Sequence, residues 1–305
     1  LLVLAGPGSG KTRVITRRAA WLVHSGIAPH RILAITFTNR AAGEMRHRIE
    51  ELGVARGMWV CTFHSLGVRL LREFGALAGV APGFSIYDDA DQLRVVNEAM
   101  KLCHVSPSLH RPDTIQWRIS GAKNQLLGPR EYRDTVRYGD ARTAATVYEA
   151  YQELLTRGNA VDFDDLLMKP ALVLRDHADL CERLNIRFNY LLVDEYQDTN
   201  FAQYMIAHLL SQHHGNLCVT GDPDQSIYGW RGADIGNILR FEQDHRNARI
   251  IRLEQNYRST PEVLRVADAL ISRNTQRNEK GLWTANPAGQ PVRLRVFDSD
   301  IHEAE

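Results

Sequence analysis

Ala5-Gly6-Pro7-Gly8-Ser9-Gly10-Lys11-Thr12 lies between an apolar run, Leu1–Ala5, and an amphipathic helix expected from about Lys11 to His24. Glycines there let backbone N–H groups reach phosphate oxygens, and the helix N-terminus behind them adds partial positive charge. In a loop of this kind Lys11 reaches the β- and γ-phosphates and the Thr12 hydroxyl binds Mg²⁺. The strict pattern asks for glycine first, where this chain has Ala5; the departure is small because that residue ends the strand. A second constellation is Leu191-Leu192-Val193-Asp194-Glu195, an apolar strand ending in two carboxylates. Alone, such a pair is usually just solvated. With a phosphate loop in the same sheet, Asp194 would hold Mg²⁺ through water and Glu195 would polarise the attacking water. Gln225 follows another strand end and can contact both the γ-phosphate and that water. ATP with Mg²⁺ is the expected ligand.

The stretch Gly221-Asp222-Pro223-Asp224-Gln225-Ser226-Ile227-Tyr228-Gly229-Trp230-Arg231-Gly232 adds two aromatics and an arginine to that phosphate sensor. Trp230 between two glycines has little packing support, which speaks against ordinary core. Aromatics here suit stacking on bases, a contact that tolerates any sequence. Arg258, in Gln255-Asn256-Tyr257-Arg258-Ser259, can stabilise charge on a transferring phosphoryl group, or can be a surface arginine ahead of a helix start.

The elements that must position these residues alternate. Strands are expected at Leu1–Ala5, Ile32–Phe37, Met58–Phe63, Tyr190–Glu195, Leu217–Gly221 and Arg249–Leu253, with helices between, which argues for a parallel α/β sheet. From Phe84 to Leu155 the rhythm breaks into helices at Ala90–Cys103, Ile115–Leu126 and Ala141–Thr156, read as a helical insertion without strands. A helix Pro261–Asn274 and a strand Val292–Phe297 follow. That last strand, and Leu1 opening directly in a strand, are read as signs of a longer parent protein.

Composition bounds the rest. The 305 residues hold 44% hydrophobic side chains, enough for two domains. Lys+Arg 37 against Asp+Glu 36 gives a net charge of +1, so any basic surface is local. No run approaches a membrane span, and scattered Cys61, Cys103, Cys181 and Cys218 read as reduced thiols in a cytoplasmic protein.

Taken together and in this order, these motifs resemble the superfamily 1 DNA helicases of the UvrD/Rep/PcrA type. The resemblance also rests on Ile35-Thr36-Phe37-Thr38-Asn39 with Ala41-Ala42, Thr62-Phe63-His64-Ser65, Asp162-Phe163-Asp164-Asp165-Leu166 and Asp194-Glu195-Tyr196-Gln197-Asp198. It runs through nearly the whole chain. It implies a first RecA-like motor domain over residues 1–83 and 156–255, an inserted helical subdomain over 84–155, and the start of a second RecA-like domain over 256–305. It implies movement 3′ to 5′ on single-stranded DNA, with duplex junctions as partners. Residues Ala5 to Thr12, with Arg13 and Tyr257 about the adenine, would bind ATP, and Lys11, Asp194, Glu195, Gln225 and Arg258 would catalyse. Thr12 and Asp194 would hold Mg²⁺. Phe37, Thr38, Asn39, His64, Tyr228, Trp230 and Arg231 would line the DNA track. The family's adenine-reading glutamine and its later motifs are not in this sequence. Three other contexts stay open: the motor of a helicase–nuclease, an ATP-gated single-strand binder that does not unwind, and an ATPase without nucleic acid.

Other clusters carry weaker readings. Taken singly, Phe37 reads as core and His64 as a helix cap or surface residue. Asp162, Asp164 and Asp165 are read as caps of a helix Asp165–Leu174 in preference to a metal cluster. His208, His213 and His214 are read as a solvated helix end. Arg111, Arg118, Lys123, Arg130, Arg133, Arg137 and Arg142 form either a duplex-facing patch or a plain charged face.

Overall fold

Short runs of Val, Leu and Ile without polar alternation pair into a sheet buried on both faces, as parallel strands require. A computed structural model of the protein describes residues 1–274 and 281–304. Its strands are β1 (Leu2–Ala5), β2 (Ile32–Thr36), β3 (Trp59–Thr62), β4 (Ser85–Tyr87), β5 (Ala160–Asp162), β6 (Tyr190–Val193), β7 (Leu217–Gly221), β8 (Ile250–Leu253), β9 (Gln255–Asn256) and β10 (Trp283–Thr284). Six of them form one sheet in the order β3-β2-β6-β7-β1-β8, every pair parallel, and β9 pairs with β10 apart from it. The mixed α/β fold expected of a RecA-like protein is therefore present.

Helices cover both faces. On one side α1 (Lys11–His24) and α2 (Asn39–Glu51) bury Ile15, Ala19, Met45 and Ile49 against Ile32, Ala34, Leu192 and Cys218. The alternate strand residues, Leu33, Ile35, Leu191 and Val193, face the other way. They meet α3 (Phe63–Phe74) and further helices introduced below, through Leu66, Leu70, Leu167 and Ile206. A strand face that alternates in this way fixes its register, because a slip by one residue would exchange the two cores.

Between β4 and β5 run α4 (Asp89–Leu102), α5 (Pro112–Asn124), α6 (Pro129–Thr135) and α7 (Gly139–Arg157). They enclose a separate core of Val96, Ala99, Ile115, Ile119, Val147, Tyr148 and Tyr151. The expectation of a strandless insertion needs correcting. β4 pairs with β5 in parallel at its base, with Ser85 opposite Ala160 and Tyr87 opposite Asp162. Three residues are too few to show a period-two pattern, so this strand was invisible in the sequence.

The seam below the insertion holds the acidic cluster. Lys123 at the end of α5 is fully buried, with Nζ 2.6 Å from Asp162 Oδ2 and 2.9 Å from Asp165 Oδ1. Burial alone would lower the Lys123 pKa; Asp162 and Asp165 outweigh it and hold it well above its usual value. Tyr151 Oη donates to the same Asp162 oxygen at 2.7 Å. Lys123 is thus removed from any duplex-facing patch, while Arg111 and Arg133 pair with Asp113 and Glu149 on the surface. Helix capping is present in altered form. Asp162 Oδ1 accepts from the Asp165 N–H at 2.7 Å at the head of α8 (Asp165–Asp176), whereas Asp164 makes no side-chain cap.

After α8 come α9 (Ala178–Arg187) and α10 (Phe201–Leu209). His208 and His214 are half-buried instead of solvated: His214 Nε2 lies 3.0 Å from the Phe188 carbonyl, and His208 stacks on Tyr204 at 5.9 Å. Val292–Phe297 forms no strand. Its alternation has nothing to bury against among the described residues, and Leu294 and Val296 stand 91% and 88% exposed. Cys61, Cys181 and Cys218 are buried free thiols, Cys103 is half-buried, and among the described residues no helix is long and apolar enough to cross a membrane.

Removing the cation from a buried cluster leaves its carboxylates uncompensated. Lys123→Met is expected to cost about 3–5 kcal/mol in urea unfolding. Tyr151→Phe, which deletes one hydrogen bond to the same oxygen, should cost about 1.5–3 kcal/mol. The reverse order would show that the ion pair is not the main brace of the seam.

Candidate functional site

Every strand of a parallel sheet ends at the same edge, and ligands bind outside that edge. Here β1 ends in the glycine loop, β6 in Asp194-Glu195, β7 in the Asp222–Trp230 segment, β2 in Phe37 and β3 in Phe63-His64. Val193 lies opposite Val219 and Leu4 opposite Gly221, so the ends of β6, β7 and β1 are nearly flush.

Gly8 and Gly10 take φ values of 71° and 96°, a region that disfavours side chains and that the tight loop requires. Ser9 Oγ donates to the Gly6 carbonyl at 2.7 Å and closes the turn. Lys11 is buried and its Nζ lies 3.1 Å from Glu195 Oε2. Asp194 is held from two sides: Thr12 Oγ1 donates to Oδ2 at 3.0 Å and Thr220 Oγ1 to Oδ1 at 2.5 Å. Burial raises the Asp194 pKa, and the Thr220 and Thr12 hydrogen bonds oppose that rise. Glu195 sits at φ 53°, a left-handed conformation uncommon for a non-glycine residue, which marks a constrained position.

Gln225 Nε2 donates to Asp222 Oδ2 at 2.5 Å, which turns the sensor loop back toward β6. Gln197, buried in the turn after Glu195, donates from Nε2 to Glu195 Oε2 at 2.9 Å and to Asp198 Oδ2 at 3.2 Å. Its Oε1 accepts the Asp222 N–H at 3.0 Å. Burial, reinforced by the Glu195 charge, pushes Asp198 up to about 6.

The C-terminal segment closes over the glycine loop. Asn256, 2% exposed, donates from Nδ2 to the Pro7 carbonyl at 2.7 Å. Its Oδ1 accepts the N–H groups of Arg258 and Ser259 at 2.8 and 2.7 Å, and the Tyr257 N–H donates to the Gly8 carbonyl at 3.0 Å. A Cβ on Gly8 would fall 2.7 Å from Arg258 Cβ. Arg258 therefore starts beside the phosphate loop. Arg13 and Tyr257 both stand exposed, Tyr257 at 66%.

Toward β2 and β3 the edge becomes aromatic. Phe37 stacks on Tyr228 with centroids 5.1 Å apart and planes at 27°; it is half-exposed at the strand end, not in the core. Trp230 follows at 6.4 Å from Tyr228 and is 66% exposed. His64 packs edge-on against Phe163 at 5.9 Å, and burial lowers its pKa to about 4, so it is neutral near pH 7. Thr38 spends its hydroxyl capping α2, accepting the Ala41 N–H at 3.1 Å, and Asn39 Oδ1 accepts from Ser65 Oγ at 3.4 Å. The Arg231 side chain lies outside the described residues.

The structure thus brings Lys11, Thr12, Asp194 and Glu195 into one cluster, ties Gln225 to Asp222 at the end of β7, sets Arg258 beside Gly8, and gathers Phe37, Tyr228 and Trp230 along the same edge. Thr220, Gln197 and Asn256 were missed as site residues. Gln197 lay inside a quoted motif, and its burial between two loops was the signal that only the fold supplies.

A family profile described as the UvrD/REP helicase N-terminal domain matches residues 1–246, and one for the UvrD-like helicase C-terminal domain matches residues 251–305. Among curated relatives, an "ATP-dependent DNA helicase PcrA" from Leuconostoc citreum is 49% identical over all of this chain and 41% of its own length. Proteins of the same name from Staphylococcus epidermidis and Staphylococcus aureus are 44% identical over all of this chain and 42% of theirs. The chain spans about two fifths of the length of these relatives.

The Asn256 amide predicts a split response. Asn256→Ala strands the Pro7 carbonyl and two N–H groups and should cost about 1–3 kcal/mol of stability. Asn256→Asp keeps both acceptor bonds but sets a buried carboxylate oxygen against the Pro7 carbonyl, so near neutral pH it should cost at least as much while keeping the Arg258 and Ser259 N–H groups protected. Thermal melts and amide exchange at Arg258 and Ser259 check this; protection there that is the same in both variants would mean that the turn at Arg258 does not depend on Asn256.

Proposed function

The chain belongs to the UvrD/REP helicase family, and we propose that it is the ATP-binding part of a cytoplasmic motor that moves 3′ to 5′ on single-stranded DNA and opens duplex junctions. In this reading residues 1–83 and 156–255 are the motor domain, 84–155 its helical insertion, and 256–305 the opening of a second motor domain. One observation carries the proposal. A single loop, Asp222–Trp230, is tied through the Asp222 N–H to Gln197, which holds Glu195, and contributes Tyr228 to a stack on Phe37. Whatever displaces the aromatics acts on the loop that holds the nucleotide sensor.

The residues divide the chemistry as follows. The loop Gly6–Gly10 presents backbone N–H groups, at the N-terminus of α1, to the phosphates of ATP. Lys11 exchanges its contact with Glu195 for the β- and γ-phosphates, which frees the carboxylate. Glu195 then orients a water and takes its proton. Gln225, on the loop whose Asp222 is tied to Gln197, would contact the same water and the γ-phosphate. Arg258, anchored through Asn256 beside Gly8, offers positive charge to the transferring phosphoryl group. Thr12 and Asp194 present hard oxygens 3.0 Å apart, and the buried Asp194 charge favours a divalent cation beside it, so the pair fits Mg²⁺. When bound, Mg²⁺ would neutralise phosphate charge at this point. Along the rest of the edge, Trp230 and the Phe37–Tyr228 stack offer faces to bases. His64, neutral near pH 7, can serve the strand as a hydrogen-bonding group without a charge.

In the full-length protein, Lys11→Ala and Glu195→Gln are each expected to lower kcat about 10²-fold or more, because positioning and electrostatics dominate phosphoryl transfer. Glu195→Gln should still bind ATP, whereas Lys11→Ala should bind it more weakly. Trp230→Ala should weaken single-strand binding by about 1–3 kcal/mol and reduce DNA-stimulated turnover more than the basal rate. A lower melting temperature with unchanged DNA affinity would instead assign Trp230 to packing and remove the nucleic-acid reading.

A further inference from the structure

We propose that Gln197 is a positioning residue, the bridge through which the DNA-facing loop sets the geometry of Glu195; the proposal rests on the ATPase reading above and deepens it. Gln197 is 1% exposed and its amide is used at both ends. Both Nε2 hydrogens go to carboxylates, Glu195 at 2.9 Å and Asp198 at 3.2 Å. Its Oε1 takes the N–H of Asp222, the residue whose own carboxylate holds Gln225. The main chain adds a third tie: Ser226 Oγ donates to the Gln197 carbonyl at 3.2 Å. The amide can be oriented only this way, since two carboxylates need donors and a backbone N–H needs an acceptor.

The consequence follows from what Lys11 does. Before nucleotide binds, Glu195 Oε2 is held by both Lys11 and Gln197. Once Lys11 turns to phosphate, the Gln197 amide still fixes that oxygen. The same amide is fixed at its other end by the loop that carries Tyr228 and Trp230 toward DNA. A shift of Asp222 therefore drags Oε1, rotates the amide plane and moves the donor under Glu195. The end of β7 packs closely against this link. A Cβ on Gly221 would fall 2.7 Å from Gln197 Oε1, so the strand end runs directly against the amide. An alanine at Gly221 is also an independent lever, because it displaces the amide without deleting any hydrogen-bonding side chain. That Cβ would also meet Ile238 Cδ1 at 2.7 Å, the far end of a flexible side chain.

The test is ATPase kinetics of the full-length protein, with and without saturating oligo-dT, for Gln197→Leu, Gln225→Ala, their double variant, Gly221→Ala and Glu195→Gln. Misplacing a catalytic group by about 1 Å costs about 10²-fold, so Gln197→Leu should lower the DNA-stimulated kcat by about that factor. The KM for ATP and the Kd for oligo-dT should change less than about twofold, because neither ligand touches Gln197 in this scheme. The double variant should be no slower than the slower single one, as expected of two links in one chain. Gly221→Ala should reproduce the selective loss of stimulation, and it decides the matter if Gln197→Leu does not fold. Full stimulation in Gln197→Leu or Gly221→Ala, or effects of Gln197 and Gln225 that multiply, would overturn the bridge. If Glu195→Gln itself turned over normally, the ATPase reading beneath it would fail instead.

Discussion

One carboxylate locks three neighbouring strand ends together. Asp194 leaves β6, Thr220 donates to it from β7, and Thr12 donates from the helix that follows β1. Burying a charge is costly unless hydrogen bonds surround it, so this arrangement persists only if the three strands keep their register. Conversely, the register puts the glycine loop, the acidic pair and the sensor loop within a few ångströms of one another. The raised pKa of Asp194 is the residual cost of burial, which a divalent cation would offset.

The sequence made the local half of this legible. Strand ends, the glycine loop and the acidic pair are each contiguous, so residue type and spacing suffice to find them. The six sheet strands were placed within one or two residues, because buried parallel strands read as uninterrupted Val, Ile and Leu. What escaped was long-range and polar. Asn256 meets Pro7 across 249 residues, and Lys123 meets Asp162 across 39. Neither pairing leaves a period or a spacing. Lys123 even misled, since a lysine among arginines on a helix reads as surface until the fold buries it. Val292–Phe297 failed for the opposite reason: it has the local pattern of a strand but no neighbouring strand among the described residues.

The helical insertion is tied to the site more tightly than its separate core suggests. Next to Lys123, Asn124 Nδ2 donates to Asp164 at 3.2 Å, and its Oδ1 accepts from Asn200. Asn200 in turn starts α10 through a capping box with Gln203, directly after Asp198-Thr199. The Asn124 side chain also lies against Gly232, where a Cβ would stand 3.7 Å from it. So the end of α5 touches both the segment after the acidic pair and the far end of the aromatic loop. The insertion gives that loop a fixed wall on one side.

These contacts differ in how easily they exchange. The insertion is joined through the buried cluster of Lys123 with Asp162 and Asp165, whose charges a partial opening would leave unpaired. The C-terminal segment instead meets the glycine loop through neutral hydrogen bonds from Asn256 and Tyr257. Each contributes about 0.5–1.5 kcal/mol net. Among the described residues its helix Pro261–Ile271 buries Leu264 and leaves Val266 and Leu270 exposed. A ligand arriving at the glycine loop meets this segment beside Gly8, where Arg258 begins. The insertion is joined to the rest of the fold in a different way, through the buried contacts of Lys123 with Asp162 and Asp165.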